Sequence, residues 1–225
     1  MKLLVPLACA ALAAAAPART CRLLFLAAPE DAPEKLHLFD GRSAQEVELP
    51  RLSFSRVYQL PPGDLRLRLL PAPPPDPAAI PAAAPAVTVA EAVTDCYLLV
   101  SSDPANPVAP VRLQVINANP ERLKRGQMLW FNLTDKAVGG SVGSAKLALQ
   151  PNSRATLDPP ASGATDYPVT LAFRIPGDDR LYPLCETRWL HDPRSRCVVF
   201  IIPDPGARAP RVLAIPDYRE TPEER

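Results

Sequence analysis

The sequence predicts an all-β protein made of two tandem β-sandwich domains, and three observations support this prediction. Proline makes up 30 of the 225 residues and glycine only 9, and so many prolines disfavour helices and favour short strands joined by bends. Apolar and polar residues alternate in several short segments, which is typical of strands with one buried face. Segments of similar pattern recur in the same order along the chain, which indicates an internal duplication.

Composition and charge argue against two classes of partner. The chain has 25 basic and 24 acidic residues, a net charge of +1, so it lacks the basic excess typical of nucleic-acid binding. After the N-terminal segment, no stretch reaches the ~18 apolar residues of a membrane-spanning helix. We therefore expect no nucleic-acid partner and no membrane span. The 47% hydrophobic and 22% charged residues are typical of a folded globular protein.

The N-terminus has the pattern of a secretory signal peptide, predicted to cover residues 1–18. Lys2 precedes an apolar run over residues 3–16, and the sequence Ala-Pro-Ala at its end is a small-x-small cleavage site. Cleavage there leaves Arg19 as the first residue of an exported protein, periplasmic or extracellular. Two alternatives stay open. One is that the segment is retained as a helix. The other is that Cys9 is lipidated, although the residues before Cys9 make a poor lipobox.

Short strands separated by turn signals account for most of the remaining chain. Residues 65–69 alternate leucine with arginine, so one face of this strand is buried. Residues 169–175 alternate in the same way, whereas residues 198–202 form a continuous apolar run, as expected of a central strand. Residues 71–85 are rich in alanine and proline and are predicted to form an extended surface loop.

Four pairs of similar segments indicate the duplication. They are residues 22–30 with 112–121, 36–39 with 129–132, 55–63 with 144–152, and 96–104 with 197–205. This alignment predicts one sandwich over residues 21–104, a proline-rich linker over 105–110 and a second sandwich over 111–216. Residues 217–225 are predicted to be a charged, frayed tail. The alternative is that strand-turn-strand sequences resemble one another without a common origin.

The first predicted repeat resembles a family of bacterial secreted and cell-surface domains of unknown function. The matching segments are residues 28–33 (Ala-Pro-Glu-Asp-Ala-Pro), residues 36–41 ending in Asp-Gly, and residues 60–63 (Leu-Pro-Pro-Gly), in the family's order and spacing. The resemblance covers residues 21–70 and departs from the family pattern by the inserted Glu30 and a missing serine. It implies an Ig-like β-sandwich that often occurs in tandem, and it carries no catalytic residue.

The exported chain retains four cysteines, and an even number in an exported protein favours disulfides. Of the three possible connectivities we favour Cys21–Cys96 and Cys185–Cys197. Cys21 precedes the first predicted strand and Cys96 opens the last strand of the first repeat. In an Ig-like sandwich these two strands can run parallel and side by side. The second pair needs a wide, bent connection, because a tight hairpin would place the two cysteines beyond the ~7 Å Cα limit.

Two motifs suggest chemistry but lack the context that the chemistry needs. Residues 139–143 have the G-x-S-x-G pattern that presents a nucleophilic serine, here Ser141, with His191 downstream. No helix is predicted after the motif, so a flexible loop between two strands is the favoured interpretation. Cys185, His191 and Cys197 are spaced as a zinc site could use them, but no fourth ligand and no CxxC pair accompany them. We therefore predict no catalytic residue, no metal and no cofactor.

The remaining candidate is an aromatic platform for a ligand, formed by Trp130, Phe131 and Trp189, with core packing as the alternative. The sequence thus predicts an exported, non-catalytic β-sandwich protein with a binding or structural role. Its expected partner is an unknown protein or glycan of the cell envelope. The alternatives are a serine hydrolase built on Ser141 and an envelope-assembly module that acts by β-strand addition.

Overall fold

The computed structural model describes residues 19–219 and consists almost entirely of β-strands. The first eight are β1 (Arg19–Phe25), β2 (Lys35–Phe39), β3 (Ala44–Glu48), β4 (Tyr58–Leu60), β5 (Leu65–Leu70), β6 (Ala86–Val89), β7 (Asp95–Ser102) and β8 (Val111–Asn117). The next eight are β9 (Met128–Asn132), β10 (Ala137–Val142), β11 (Ala145–Leu149), β12 (Ser153–Leu157), β13 (Thr165–Arg174), β14 (Tyr182–His191), β15 (Ser195–Ile202) and β16 (Arg211–Tyr218). The predicted all-β class is confirmed.

The only helical element within residues 19–219 is a 3₁₀ turn, Pro77–Ala79, in the proline-rich loop. No helix in this part of the chain is long and apolar enough to cross a membrane. The predicted signal peptide, with Cys9, lies outside the described residues, and so does the end of the predicted tail from residue 220 onward.

The strands form four sheets of four strands each. In the first half of the chain, β1–β8, the inner sheet has the order β4-β1-β7-β8 and the outer sheet the order β3-β2-β5-β6. In the second half, β9–β16, the inner sheet has the order β12-β9-β15-β16 and the outer sheet the order β11-β10-β13-β14. The pairing order of the first half is therefore repeated in the second, including the parallel pairs β1–β7 and β9–β15.

Three apolar layers hold the four sheets in a stack. One lies inside each half, between its inner and outer sheets, and the third lies between the two inner sheets. The strands β7 and β15, at the centre of the inner sheets, are covered on both faces. In β15, Val198 and Phe200 face the first half, while Val199 and Ile201 face the outer sheet of the second. This double burial explains the continuous apolar run of β15, because polar residues need to alternate only where one face meets water.

The boundary between the halves differs from the predicted one. Residues 105–110, predicted to be a linker, connect β7 to β8, and these two strands pair antiparallel. Val111 and Leu113 of β8 are buried in the core of the first half. The second set of strands therefore begins with β9 at Met128. The prolines of residues 105–110 suggested a linker, but they belong to the turn that brings β8 back beside β7.

Three of the four aligned segment pairs are wrong by one strand. The alignment matched β1 with β8, β2 with β9 and β4 with β11, whereas the strands in equivalent places are β9, β10 and β12. The fourth pair is correct, since β7 and β15 hold the same place and Cys96 and Cys197 face the equivalent residues Cys21 and Met128. The displacement arose because neighbouring strands of a sandwich share the same alternating pattern.

Candidate functional site

An open cleft lies at one edge of the second half, between β14 of the outer sheet and β16 of the inner sheet. Both are edge strands, since β14 pairs only with β13 and β16 only with β15. The buried residues that line the cleft include Met128, Tyr167 and His191, and the exposed ones include Leu190 and Tyr218. Its volume of about 390 Å³ lies within the range of ligand pockets, about 300–1,000 Å³.

The equivalent edge of the first half is closed. There β6 lies against β8, whereas β14 and β16 make no comparable contact. Ala214 and Pro216, which line the cleft on β16, are exposed, whereas Val115 and Asn117, which hold the equivalent places on β8, are half-buried. The second half therefore leaves open a strip of its interior that the first half covers.

Two large apolar side chains stand exposed beside this opening. Leu190 is 72% exposed and Tyr218 is 57% exposed, and both line the cleft. Single exposed apolar residues are common on protein surfaces, but a group of them around an apolar opening is typical of an interaction site.

His191 lines the cleft and carries a buried polar atom without a partner. The residue is only 5% exposed, and its Nε2 atom has no hydrogen-bond partner. Burial lowers the pKa of His191, although the Asp192 carboxylate next to it opposes this effect, so the imidazole is neutral at pH 7. Because buried polar groups are normally hydrogen-bonded, this nitrogen is an unsatisfied polar group beside the cleft.

Aromatic rings hold the cleft in shape. Tyr167 meets the His191 ring edge-on, with ring centroids 6.4 Å apart. Trp189 stacks on the fully buried Trp130, with ring centroids 5.8 Å apart. Phe131 instead stacks on Phe200 in the layer between the inner sheets. Of the three residues predicted to form an aromatic platform, Trp130 and Trp189 are therefore together and Phe131 is apart, and only Trp189 lines the cleft.

Ser141 and His191 are not brought together. Ser141 lies within β10, opposite Lys146 of β11 and Thr170 of β13, so the prediction of a flexible loop is wrong at this residue. His191 lies opposite Thr165 on the far side of β13. The five-residue offset along β13 between Thr165 and Thr170 corresponds to about 17 Å. This separation prevents His191 from acting as the base that a nucleophilic serine needs.

The three zinc candidates are likewise apart. Cys185 lies opposite Leu171 and His191 opposite Thr165 in the β13–β14 pair, an offset of about 20 Å along the strands. Within residues 19–219 no three potential metal ligands form a group that could hold one ion. Of the three candidates, His191 and Cys197 line the cleft.

The cysteines of the first predicted disulfide are direct neighbours. Cys21 lies opposite Cys96 in the parallel β1–β7 pair, and both are buried in the first core. The expectation that these strands run parallel side by side is therefore confirmed. Strand spacing of about 4.8 Å brings the two Cα atoms within disulfide range. The structure describes the cysteines at positions 21, 96, 185 and 197 as free thiols, so the bridge itself stays a prediction.

The second predicted disulfide has less favourable geometry. Cys185 belongs to the outer sheet and Cys197 to the inner sheet of the second half. Packed sheets lie about 10 Å apart, which exceeds the Cα separation that a disulfide spans.

We expect exported protein to begin at Arg19 and to contain a Cys21–Cys96 bridge, with Cys185 and Cys197 as thiols. Burial raises the pKa of the Cys96 thiol to about 12, so oxidation has to precede burial during folding. The bridge would close a loop of about 75 residues and contribute roughly 4 kcal/mol. Mass spectrometry of non-reduced peptides measures both features. Four free thiols, or an intact Met1 on the exported chain, would contradict the prediction, and protein made in a reducing cytosol is the control.

A buried charge network joins the two halves next to the cleft. The Asp217 carboxylate on β16 is fully buried and accepts hydrogen bonds from Arg22 and Tyr97 of the first half, the latter at 2.6 Å. From the second half, Arg196 contacts the same carboxylate at 2.6 Å and Arg219 at 3.0 Å. Burial alone would raise the pKa of Asp217, but Arg219 and Arg196 outweigh it and lower the pKa to about 2.

The sequence does not predict this network, and its pattern places Asp217 in a frayed tail. That prediction is wrong, since β16 extends through Asp217 and carries it into the interface between the inner sheets. The sequence does contain a signal of this network, because Arg196 and Asp217 are charged residues at inward positions of apolar strands. It was not interpretable from sequence because Arg22 and Tyr97, which neutralise and bind the carboxylate, lie far away in the chain.

Comparison with protein-family models and with curated proteins finds no match to this chain.

Proposed function

We propose that the chain is an exported, non-catalytic binding protein of two tandem β-sandwiches, and that the β14–β16 cleft holds the apolar part of its ligand. The observation that carries this proposal is an open apolar cleft lined by exposed apolar residues, with an unpartnered nitrogen of the buried His191 beside it. An exposed apolar patch of this kind is typical of an interaction site. Export rests on the N-terminal pattern of the sequence, and the two-domain organisation on the repeated pairing order of the sheets.

The catalytic alternative has less support. The candidate nucleophile Ser141 lies in a paired strand, remote from His191 along the sheet. Two nucleophilic side chains line the cleft, Ser195 and Cys197. The Ser195 hydroxyl donates a hydrogen bond to the Asp192 backbone carbonyl at 3.1 Å. Burial raises the pKa of the Cys197 thiol to about 12, which keeps it protonated and unreactive at neutral pH.

A cleft-filling substitution tests the proposed site. We expect the native protein to bind one molecule of anilinonaphthalene sulfonate, an apolar fluorescent dye, with energy transfer from Trp189. The A214W variant, which places a bulky ring in the cleft from the exposed Ala214 of β16, is expected to weaken dye binding at least about tenfold. Fluorescence titration and the melting temperature are measured together.

The matched control is A148W. Ala148 is exposed on β11, which lies at the opposite edge of the outer sheet from β14, and it does not line the cleft. A148W should bind the dye as the native protein does. Equal loss in both variants, or undiminished binding by a folded A214W variant, would place the dye elsewhere and contradict the proposal.

A further inference from the structure

We propose that the occupant of the cleft is an extended peptide that adds as a new strand to the free edge of β14 and inserts alternate apolar side chains between β14 and β16. This inference rests on the proposed function, because it names the partner of the same site. It follows from the free backbone of β14, from the residues that the cleft exposes, and from the charge at its mouth.

The free edge of β14 is the most suitable edge for a new strand. With ten residues, β14 is the longest of the eight strands that end a sheet in the described part of the chain. Its only proline, Pro183, lies at the end far from the cleft, so the residues along the cleft keep their N–H groups. On the opposite side, Pro216 of β16 has no N–H to donate. An added strand can therefore form a continuous series of backbone hydrogen bonds with β14, whereas Pro216 would interrupt such a series along β16.

The cleft exposes a surface that matches one face of such a strand. On β16, Ala214, Pro216 and Tyr218 line the cleft, and they alternate with Ile215 and Asp217, which are buried in the interface between the halves. These three residues are exposed and follow a period of two, the same period at which side chains of an added strand point inward. The peptide thus needs apolar residues at every second position, and these would cover the strip that β6 covers in the first half.

Charge at the mouth indicates what flanks the apolar residues. Arg188 lines the cleft and Arg125 lies next to its lining residue Gly126, and both are exposed. Within residues 19–219, neither is ion-paired to a carboxylate, whereas Asp192 is already held by Arg194 at 3.0 Å. Asp166, next to the lining residue Tyr167, is exposed as well, so the two arginines leave a net positive charge at the mouth. A peptide that carries acidic residues beside its alternating apolar segment complements this charge and the apolar strip together.

The probe is a synthetic peptide of sequence Asp-Asp-Thr-Val-Thr-Phe-Thr-Val-Thr, added to the full-length mature protein. We expect it to bind one to one by calorimetry and to displace the dye. Replacing both aspartates with lysine should weaken binding at low salt, and A214W should weaken it at least about tenfold. A148W should bind the peptide as the native protein does.

Backbone methylation separates strand addition from simple apolar insertion. Amides of alternate residues point to opposite edges of a strand, so one set faces β14 and the other faces away. Methylating the amide nitrogens of the two valines and the phenylalanine, or those of the threonines, should therefore give unequal results. One methylated peptide is expected to lose at least about tenfold in affinity and the other to keep it. Equal affinity of the two methylated peptides would overturn the inference.

Two further outcomes are distinguishable. If the native protein binds the dye but not the peptide, strand addition fails and the binding cleft stands. If neither binds, both proposals fail. A dimer in sedimentation experiments that the peptide does not dissociate would assign the β14 edge to a second copy of the chain and would also overturn the inference.

Discussion

Replacing Asp217 with asparagine is expected to lower the free energy of unfolding by about 3 kcal/mol or more at pH 7. The carboxylate is fully buried and contacts Arg22, Arg196 and Arg219. Its removal takes away the carboxylate that Arg22 contacts and leaves Arg196 and Arg219 to share Asp95, at 2.8 and 3.0 Å. This loss inside the interface costs far more than the loss of a surface ion pair. Chemical denaturation monitored by circular dichroism measures the change.

The same carboxylate makes stability depend on pH. Its pKa is about 2 in the folded protein against an ordinary value of 3.8. A carboxyl with a lowered pKa stabilises the folded state fully above its unfolded pKa, and this contribution disappears as the pH falls through the folded one. Stability should therefore fall between about pH 4 and pH 2 in the native protein, and less steeply in D217N.

The matched control is D204N. Asp204 is ion-paired to Arg211 at 2.6 Å, but that arginine is more than half exposed, so the substitution should cost less than about 1 kcal/mol. If D217N and D204N lost the same stability, or if D217N retained the full acid dependence, the network would not be what joins the two halves.

The G140A substitution is expected to cost about 3 kcal/mol or more. Gly140 has φ +154°, which side-chain-bearing residues rarely adopt, and a Cβ atom there would overlap the Thr170 carbonyl oxygen of the neighbouring strand β13. The added methyl group would push β10 away from β13 and disturb the outer sheet of the second half. Thermal unfolding with near-ultraviolet circular dichroism measures the effect.

The adjacent Gly139 gives the control within the same motif. A Cβ atom at Gly139 would lie 3.3 Å from the Leu147 carbonyl oxygen, at an ordinary φ, so G139A should be much milder. S141A should be neutral, because Ser141 lies far along β13 from His191, the base considered for it. A G140A variant as stable as G139A would contradict the strain argument, and loss of a hydrolytic activity in S141A would restore the enzyme hypothesis.

The glycine-rich segment illustrates how far local pattern could be interpreted. The sequence disfavours a nucleophile at Ser141, because no helix is predicted after it. The pattern could not show that Gly140 is required by the close approach of β13, since Thr170 lies 30 residues further along the chain. The same limit applies to the cleft. His191 and Cys197 were singled out for their chemistry, but Ala214, Pro216 and Tyr218, which carry no such chemistry, were not.

The sequence by itself determined the class of the fold, the strands with alternating pattern and the equivalence of Cys96 with Cys197. Proline content indicates the class, a period of two indicates the strands, and a cysteine that opens an apolar run indicates the equivalence. None of these signals depends on which distant segments meet. Tertiary structure alone decided that β8 belongs to the first half, that Asp217 is buried among arginines, and that the β14–β16 edge stays open. These features depend on which distant strands meet. Pairing, burial of charge and an uncovered edge are properties of contacts between segments, and the pattern of one segment does not contain them.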